Sequence, residues 1–270
     1  MRSPAPTNSP HVRIYRYVRT CVHVSAGVAT TLLVFPVVSP HSRRALVKRW
    51  SVRLLRILAV DAKIEGDLTA HQGNVLVVAN HISWLDIFVL NSVHPVRFVA
   101  KSELAGWPVV GAMIRGAGTL FIQRERRRDT HRVNHTMAKV LSDGDVVAIF
   151  PEGTTTEGHD LLPFKSSLLQ PIVEAQGHVQ PVAIRYRGPD GAPSLTPAYV
   201  GDTSFASSFW QVCGARALTV QLIALPALPA RDAHRRELAR RAEAAIRKAL
   251  AAADDAMEPG TPGDLPSGHR

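Results

Sequence analysis

Val75-Leu-Val-Val-Ala-Asn-His-Ile-Ser-Trp-Leu-Asp86 reads as a strand, a turn and the start of a helix. The run Val75 to Ala79 is short, rich in β-branched residues and free of polar alternation, as in a strand buried on both faces. Asn80, His81 and Ser83 break the run, and residues 84–92 take up helical spacing. The same alternation continues in both directions. Strands are predicted at Arg97-Phe-Val-Ala100, Thr119-Leu-Phe-Ile122, Val146-Val-Ala-Ile-Phe150, Val179-Gln-Pro-Val-Ala-Ile184 and Leu218-Thr-Val-Gln-Leu-Ile-Ala224. Helices are predicted at 129–142, 165–176 and 232–252. Strands alternating with helices specify an α/β fold. The prediction is a mixed, largely parallel central sheet flanked by helices over residues 61–253, then a disordered Pro/Gly-rich tail at 254–270.

The chain has 270 residues, enough for one compact domain with an appendage. A hydrophobic content of 46% with 20% charged residues excludes global disorder. Its net charge of +10 is concentrated at one end. Residues 1–63 carry eleven Lys or Arg against one acid, Asp61, which leaves 21 bases (32 less 11) and 21 acids (22 less 1) elsewhere. A basic segment on a neutral body argues against nucleic-acid binding, which spreads cations over the docking domain. Two cysteines, Cys21 and Cys213, build neither a disulfide framework nor a zinc site.

Within the basic segment, residues 1–12 are polar and Pro-rich and predicted to be disordered. Residues 13–60 are predicted to form a two-helix membrane anchor. Thr20 to Pro40 holds no formal charge and is about as long as a minimal span, although His23, Ser25, Thr30, Thr31 and Pro36 dilute it. From His41 to Leu58, Leu46, Val47, Trp50, Leu54, Ile57 and Leu58 recur at helical spacing among Arg43, Arg44, Lys48, Arg49, Arg53 and Arg56. Such a helix either lies in the membrane interface on anionic lipid or packs on its own domain; the apolar segment just before it favours the membrane. The basic flanks predict the cytoplasmic face of the cell inner membrane, with the anchor either dipping into the cytoplasmic leaflet or spanning once with the body inside.

Three clusters carry chemistry, each at the end of a predicted strand, where open α/β sheets bind ligands. His81 and Asp86 form a His-x4-Asp pair. An imidazole whose second nitrogen is held by a carboxylate is a general base near neutral pH. Positions i and i+5 do not share a helix face, so the pair requires His81 in the turn and Asp86 on the helix. With twelve histidines in the chain, this spacing alone is weak. Gly118-Thr-Leu-Phe-Ile-Gln-Arg124 ends in a guanidinium suited to phosphate or carboxylate. Phe150-Pro-Glu-Gly-Thr154 marks a tight turn whose backbone N–H groups can face an anion. Arg126 to Arg128 form a solvated run or a headgroup contact, with no aromatic interleaving for nucleic acid. Neither His-Glu-x-x-His nor a cysteine pair is present, so no metal site is predicted.

Taken together and in this order, the blocks resemble the glycerolipid acyltransferase superfamily, specifically the lysophosphatidic acid acyltransferase family. Asn80 to Asp86, Gly118 to Arg124 and Phe150 to Thr154 match its first three motifs, and Gln180-Pro-Val-Ala-Ile184 its fourth. The resemblance covers about residues 60–225 and extends to an N-terminal two-helix membrane motif known in relatives. It implies a general base at His81, oriented by Asp86, that takes a proton from a lysolipid hydroxyl. It further implies direct transfer from acyl-CoA or acyl carrier protein, with no cofactor; the absence of a Gly-x-Ser-x-Gly elbow agrees. Arg124 is implied to hold an acceptor phosphate, and Glu152, Gly153 and Thr154 to shape the acceptor site. Lys101 either adds positive charge there or makes a surface salt bridge. The expected product is phosphatidic acid, formed at the sn-2 hydroxyl of 1-acylglycerol 3-phosphate. One departure bears on the acceptor: many phosphatidate-forming relatives carry Arg where this chain has Thr155. The stretch from Gly153 to Ser167 is similar to lyso-ornithine lipid acyltransferases, whose acceptor has no phosphate, unless Lys165 supplies the missing charge.

Overall fold

The computed structural model describes residues 7–68, 73–106, 111, 114–122 and 127–255. Two helices come first, α1 (Pro10–Leu33) and α2 (Pro40–Ile57). Then follow β1 (Val60–Glu65), β2 (Val75–Ala79), α3 (Leu85–Val93), β3 (Arg97–Lys101), β4 (Leu120–Ile122), α4 (Arg127–Ser142) and β5 (Val146–Ile149). The chain continues through α5 (Gln170–Glu174), β6 (His178–Arg187), α6 (Phe205–Gly214), β7 (Leu218–Ala224), β8 (Leu228–Pro229) and α7 (Arg235–Asp255).

Among the described residues the strands form one sheet in the order β1-β7-β6-β2-β5-β3-β4, with β8 also on β6. The pairs β1/β7, β6/β2, β2/β5, β5/β3 and β3/β4 are parallel, and β6/β7 and β6/β8 antiparallel. The sheet is mixed and largely parallel, as the alternation predicts. β2 sits centrally, and its side chains feed both layers. Val75, Val77 and Ala79 join the core beneath α2, α3 and α6, while Leu76 and Val78 join the core beneath α4, α5 and α7. Full burial of such aliphatic side chains contributes about 1.5–3 kcal/mol each, which is why the run is apolar without alternation.

Several elements differ from expectation. β1 alternates charged and apolar residues at a sheet edge with Ile64 exposed, so its sequence lacks a buried-strand signature. Its first residue, Val60, pairs with Leu218 and so belongs to the sheet rather than to the preceding helices. Pro171 lies in the first turn of α5, after a 3₁₀ turn at Ser166–Leu169, which divides the helix predicted at 165–176. α6, capped by the Ser204 hydroxyl on Ser207 N–H, was not predicted. Residues 7–12, expected to be disordered, are placed: Asn8 N–H donates to Gly214 O at 2.8 Å and α1 starts at Pro10. The predicted tail from 254 begins inside α7, where Arg185 pairs with Asp254 and Arg187 donates to Ala253 O. One guanidinium thus meets a side-chain carboxylate and the other a backbone carbonyl in the last described turn of α7. The remainder of that tail, 256–270, lies outside the described residues.

The helices α1 and α2 use their surfaces differently. Leu54, Leu55 and Leu58 are buried in the core, and Trp50 stacks at an angle on Phe88 of α3. The apolar face of α2 therefore packs on its own domain rather than facing a membrane. α1 is held against the body along its length. Arg16 donates to Ala215 O, His23 and Trp50 exchange hydrogen bonds of 3.0 and 3.2 Å, and Phe35 is buried beside Gly116. Its outer face leaves Ile14, Val18, Val22 and Leu33 exposed in a helical stripe. Among the described residues it forms the one stretch, Pro10–Val37, long and apolar enough to cross a membrane.

Candidate active site

The site begins where β2 ends. Asn80 Nδ2 donates to Ile184 O at 2.9 Å and Asn80 Oδ1 accepts from Ile184 N–H at 2.7 Å, so its side chain extends the β2/β6 ladder by one more residue. The chain then turns, and α3 starts at Leu85. This places His81 in the turn and Asp86 in the first helical turn, the arrangement the i,i+5 spacing requires. Asp86 Oδ2 lies 2.8 Å from His81 Nδ1 and accepts from Ile82 N–H at 2.8 Å and Ser83 N–H at 2.9 Å. A carboxylate here answers backbone N–H groups that a helix start leaves free. Asp86 is fully buried, whereas the His81 side chain keeps 19% of its surface exposed. The imidazole stacks on Phe150 with centroids 3.9 Å apart and planes 7° from parallel, and Phe150 stacks on Phe98. A neutral ring that donates Nδ1–H to Asp86 presents a lone pair on Nε2, an arrangement suited to proton transfer.

The turn after β5 supports the same loop. Glu152 is buried, with Oε1 accepting from His81 N–H at 2.8 Å and Oε2 from Leu162 N–H at 3.0 Å. Burial pushes its carboxyl above the ordinary carboxylate range, and those two hydrogen bonds work against the shift. Both oxygens thus serve backbone groups. Gly153 has φ +79°, and a Cβ there would lie 2.3 Å from Lys165 Nζ, so the lysine side chain crosses the glycine directly. Thr154 is exposed on this turn. Thr156 N–H donates to His81 O at 2.8 Å, Tyr199 N–H to Ile82 O at 2.9 Å, and the Thr155 hydroxyl to Tyr199 O. The segments around 152–158 and 199 therefore wrap the His81 turn through its own backbone.

The family model described as Acyltransferase matches residues 61–185. A 1-acyl-sn-glycerol-3-phosphate acyltransferase of Neisseria meningitidis is 37% identical over 183 residues, which cover 68% of this chain and 71% of that protein. The chain belongs to the Acyltransferase family. This acyltransferase is also 38% identical over 208 residues to a lyso-ornithine lipid O-acyltransferase of Pseudomonas aeruginosa, over 77% of the chain and 79% of the relative. In fold it is similar to the crystal structure of the 1-acyl-sn-glycerophosphate acyltransferase of Thermotoga maritima, with a TM-score of 0.71 and 21% identity over 93% and 97% of the two chains.

Of the remaining predicted residues, Lys101 ends β3 opposite Ile122 of β4, and Arg124 lies outside the described residues. Among the described residues no group of three or more His, Cys, Asp or Glu is arranged to hold a metal ion. One residue of the acyltransferase site was not foreseen. The Tyr186 hydroxyl on β6 donates to Asp86 Oδ1 at 2.7 Å, with the side chain 2% exposed. The available signal was a tyrosine between Arg185 and Arg187, two residues beyond Ile184 and so on the same strand face.

Proposed function

We propose that this acyltransferase moves an acyl group from acyl-CoA or acyl carrier protein to the free hydroxyl of a lysolipid. The leading acceptor is 1-acylglycerol 3-phosphate, giving phosphatidic acid. The observation that carries the reaction is the His81–Asp86 pair, buried on the carboxylate side and open on the imidazole side. His81 Nε2 takes the proton from the acceptor hydroxyl, and Asp86 stabilises the resulting imidazolium. The alkoxide oxygen bonds to the thioester carbonyl carbon, the carbon–sulfur bond breaks, and the leaving thiolate takes the proton back from His81. Products are an ester and a free thiol, with no acyl-enzyme and no cofactor beyond the donor.

Lys165, lying across Gly153 beside the His81 turn, supports an anionic acceptor. A second reading, lyso-ornithine lipid as acceptor, is favoured by Thr155. Its hydroxyl is committed to Tyr199 O, and it supplies no cation after the Phe150 to Thr154 turn. Purified enzyme given one thioester donor and both lysolipids in turn separates the two. Higher kcat/KM for lysophosphatidate supports the first reading, preference for lyso-ornithine lipid the second, and transfer to neither contradicts both.

The proposed location is the cytoplasmic face of the inner membrane. The apolar stripe of α1 supports burial in the bilayer surface. On α2, Lys48, Arg49, Arg53 and Arg56 line a groove of about 860 Å³ with Arg19, suited to anionic headgroups. Because α1 is tied to the body near both ends, this reading has it lying on the membrane rather than crossing it. The double substitution Val18→Glu and Val22→Glu is expected to weaken binding to anionic vesicles by about tenfold per residue. Unchanged cosedimentation of that variant would count against the location.

A further inference from the structure

We propose that Tyr186 is a positioning residue for acyl transfer, acting through Asp86. This rests on the reaction proposed above. The two oxygens of Asp86 are not equivalent. Oδ2 is shared by His81 Nδ1, Ile82 N–H and Ser83 N–H, whereas Oδ1 receives the Tyr186 hydroxyl. Asp86 is fully buried, so rotation of its carboxylate is governed by protein donors alone. The backbone donors hold one oxygen at the turn, and the hydroxyl on the other fixes the plane in which Oδ2 meets the imidazole. A hydrogen bond to a charged acceptor in a dry site is strong and directional.

The anchorage of Tyr186 explains why it can do this. It sits on β6, whose Ile184 is locked in both directions to Asn80 at the start of the turn. The same strand thus grips the His81 loop at Asn80 and, 100 residues away in sequence, its helix at Asp86. Burial, and secondarily the Asp86 charge, push the Tyr186 hydroxyl well above its ordinary range, so it remains a neutral donor at every working pH. Tyr186 does not touch the reacting atoms; it sets how well Asp86 can stabilise the imidazolium of His81.

The test is Tyr186→Phe in the full chain, alone and combined with Asp86→Asn, assayed with a lysolipid acceptor and a thioester donor. Phenylalanine keeps the packing and removes only the hydroxyl. The expected loss is about tenfold in kcat, in the range seen for partners that orient a reacting group's ligand, with KM for both substrates unchanged. In the Asp86→Asn background the same substitution should cost less than twofold, since residues acting as a unit are not additive. A full tenfold loss in that background, an unchanged kcat in the single variant, or a loss expressed in KM would overturn the proposal. Loss of the unfolding transition in Tyr186→Phe would do so as well, because it would assign the hydroxyl to folding; the Asp86→Asn arm is read only on folded protein.

Discussion

Replacing His81 by alanine should lower kcat by about 10³-fold or more while leaving the fold and membrane binding in place. Among the described residues of the site, the ring alone combines a nitrogen that can take the acceptor proton with a carboxylate behind it. In the proposed reaction, removing it takes away the proton acceptor for the attacking hydroxyl and the proton donor for the leaving thiolate. The fold should survive because the structural bonds of this residue are made by its backbone: N–H to Glu152 and C=O to Thr156 N–H. Alanine keeps both. Turnover measured beside a thermal unfolding curve checks the expectation, and near-wild-type activity would remove His81 from the mechanism.

The second large effect is expected at Asp86. Asp86→Asn should reduce kcat by roughly 10²–10⁴-fold, with a smaller effect on KM. Asp86 accepts four hydrogen bonds and donates none. Asparagine brings an NH₂ group to one side. If that group faces the turn, it meets the N–H groups of Ile82 and Ser83 and forces His81 into the tautomer with no lone pair for the acceptor. If it faces Tyr186, the imidazolium still loses its counter-charge. Two buried N–H donors left unpaired would also cost about 1–3 kcal/mol each, so the first orientation should lower the midpoint of urea unfolding. A variant with kcat within a few-fold of wild type would show that His81 works without a buried carboxylate.

The part of this site that could be read in advance is the part encoded locally. Val75 to Ala79 announces a doubly buried strand because both of its faces meet cores. The turn and helix start that follow bring His81 to Asp86 over five residues, a separation at which sequence order still constrains geometry. Other features depend on distant chain. Glu152 reaches His81 N–H across 71 residues, and a Pro-Glu-Gly turn does not say where its carboxylate points. The resemblance implies that Glu152 shapes the acceptor site; in the fold its two oxygens accept from the backbone N–H groups of His81 and Leu162. Tyr186 meets Asp86 across 100 residues, so its place on the Ile184 face does not by itself name its partner.

The helices α1 and α2 make a related point. An amphipathic pattern fixes that a face will be covered, not by what. For α2 the cover is α3 and the sheet, through Leu54, Leu55 and Leu58, while the cations remain outside. Six of the cations in the basic segment, Arg43, Arg44, Lys48, Arg49, Arg53 and Arg56, therefore lie on a helix that is packed on the domain. β1 follows at once and pairs with β7, so a truncation at residue 63 would remove most of an edge strand along with the helices.

Direct transfer to a hydroxyl is tested most simply by thiol release from a thioester donor, followed with and without lysolipid. In the reaction proposed here, free thiol and acylated lipid appear in equal amounts, and omitting the acceptor stops thiol release, because His81 has no hydroxyl to activate. Thiol released at the same rate without acceptor, accompanied by free fatty acid, would mean that the pair activates water and that the enzyme hydrolyses the donor instead.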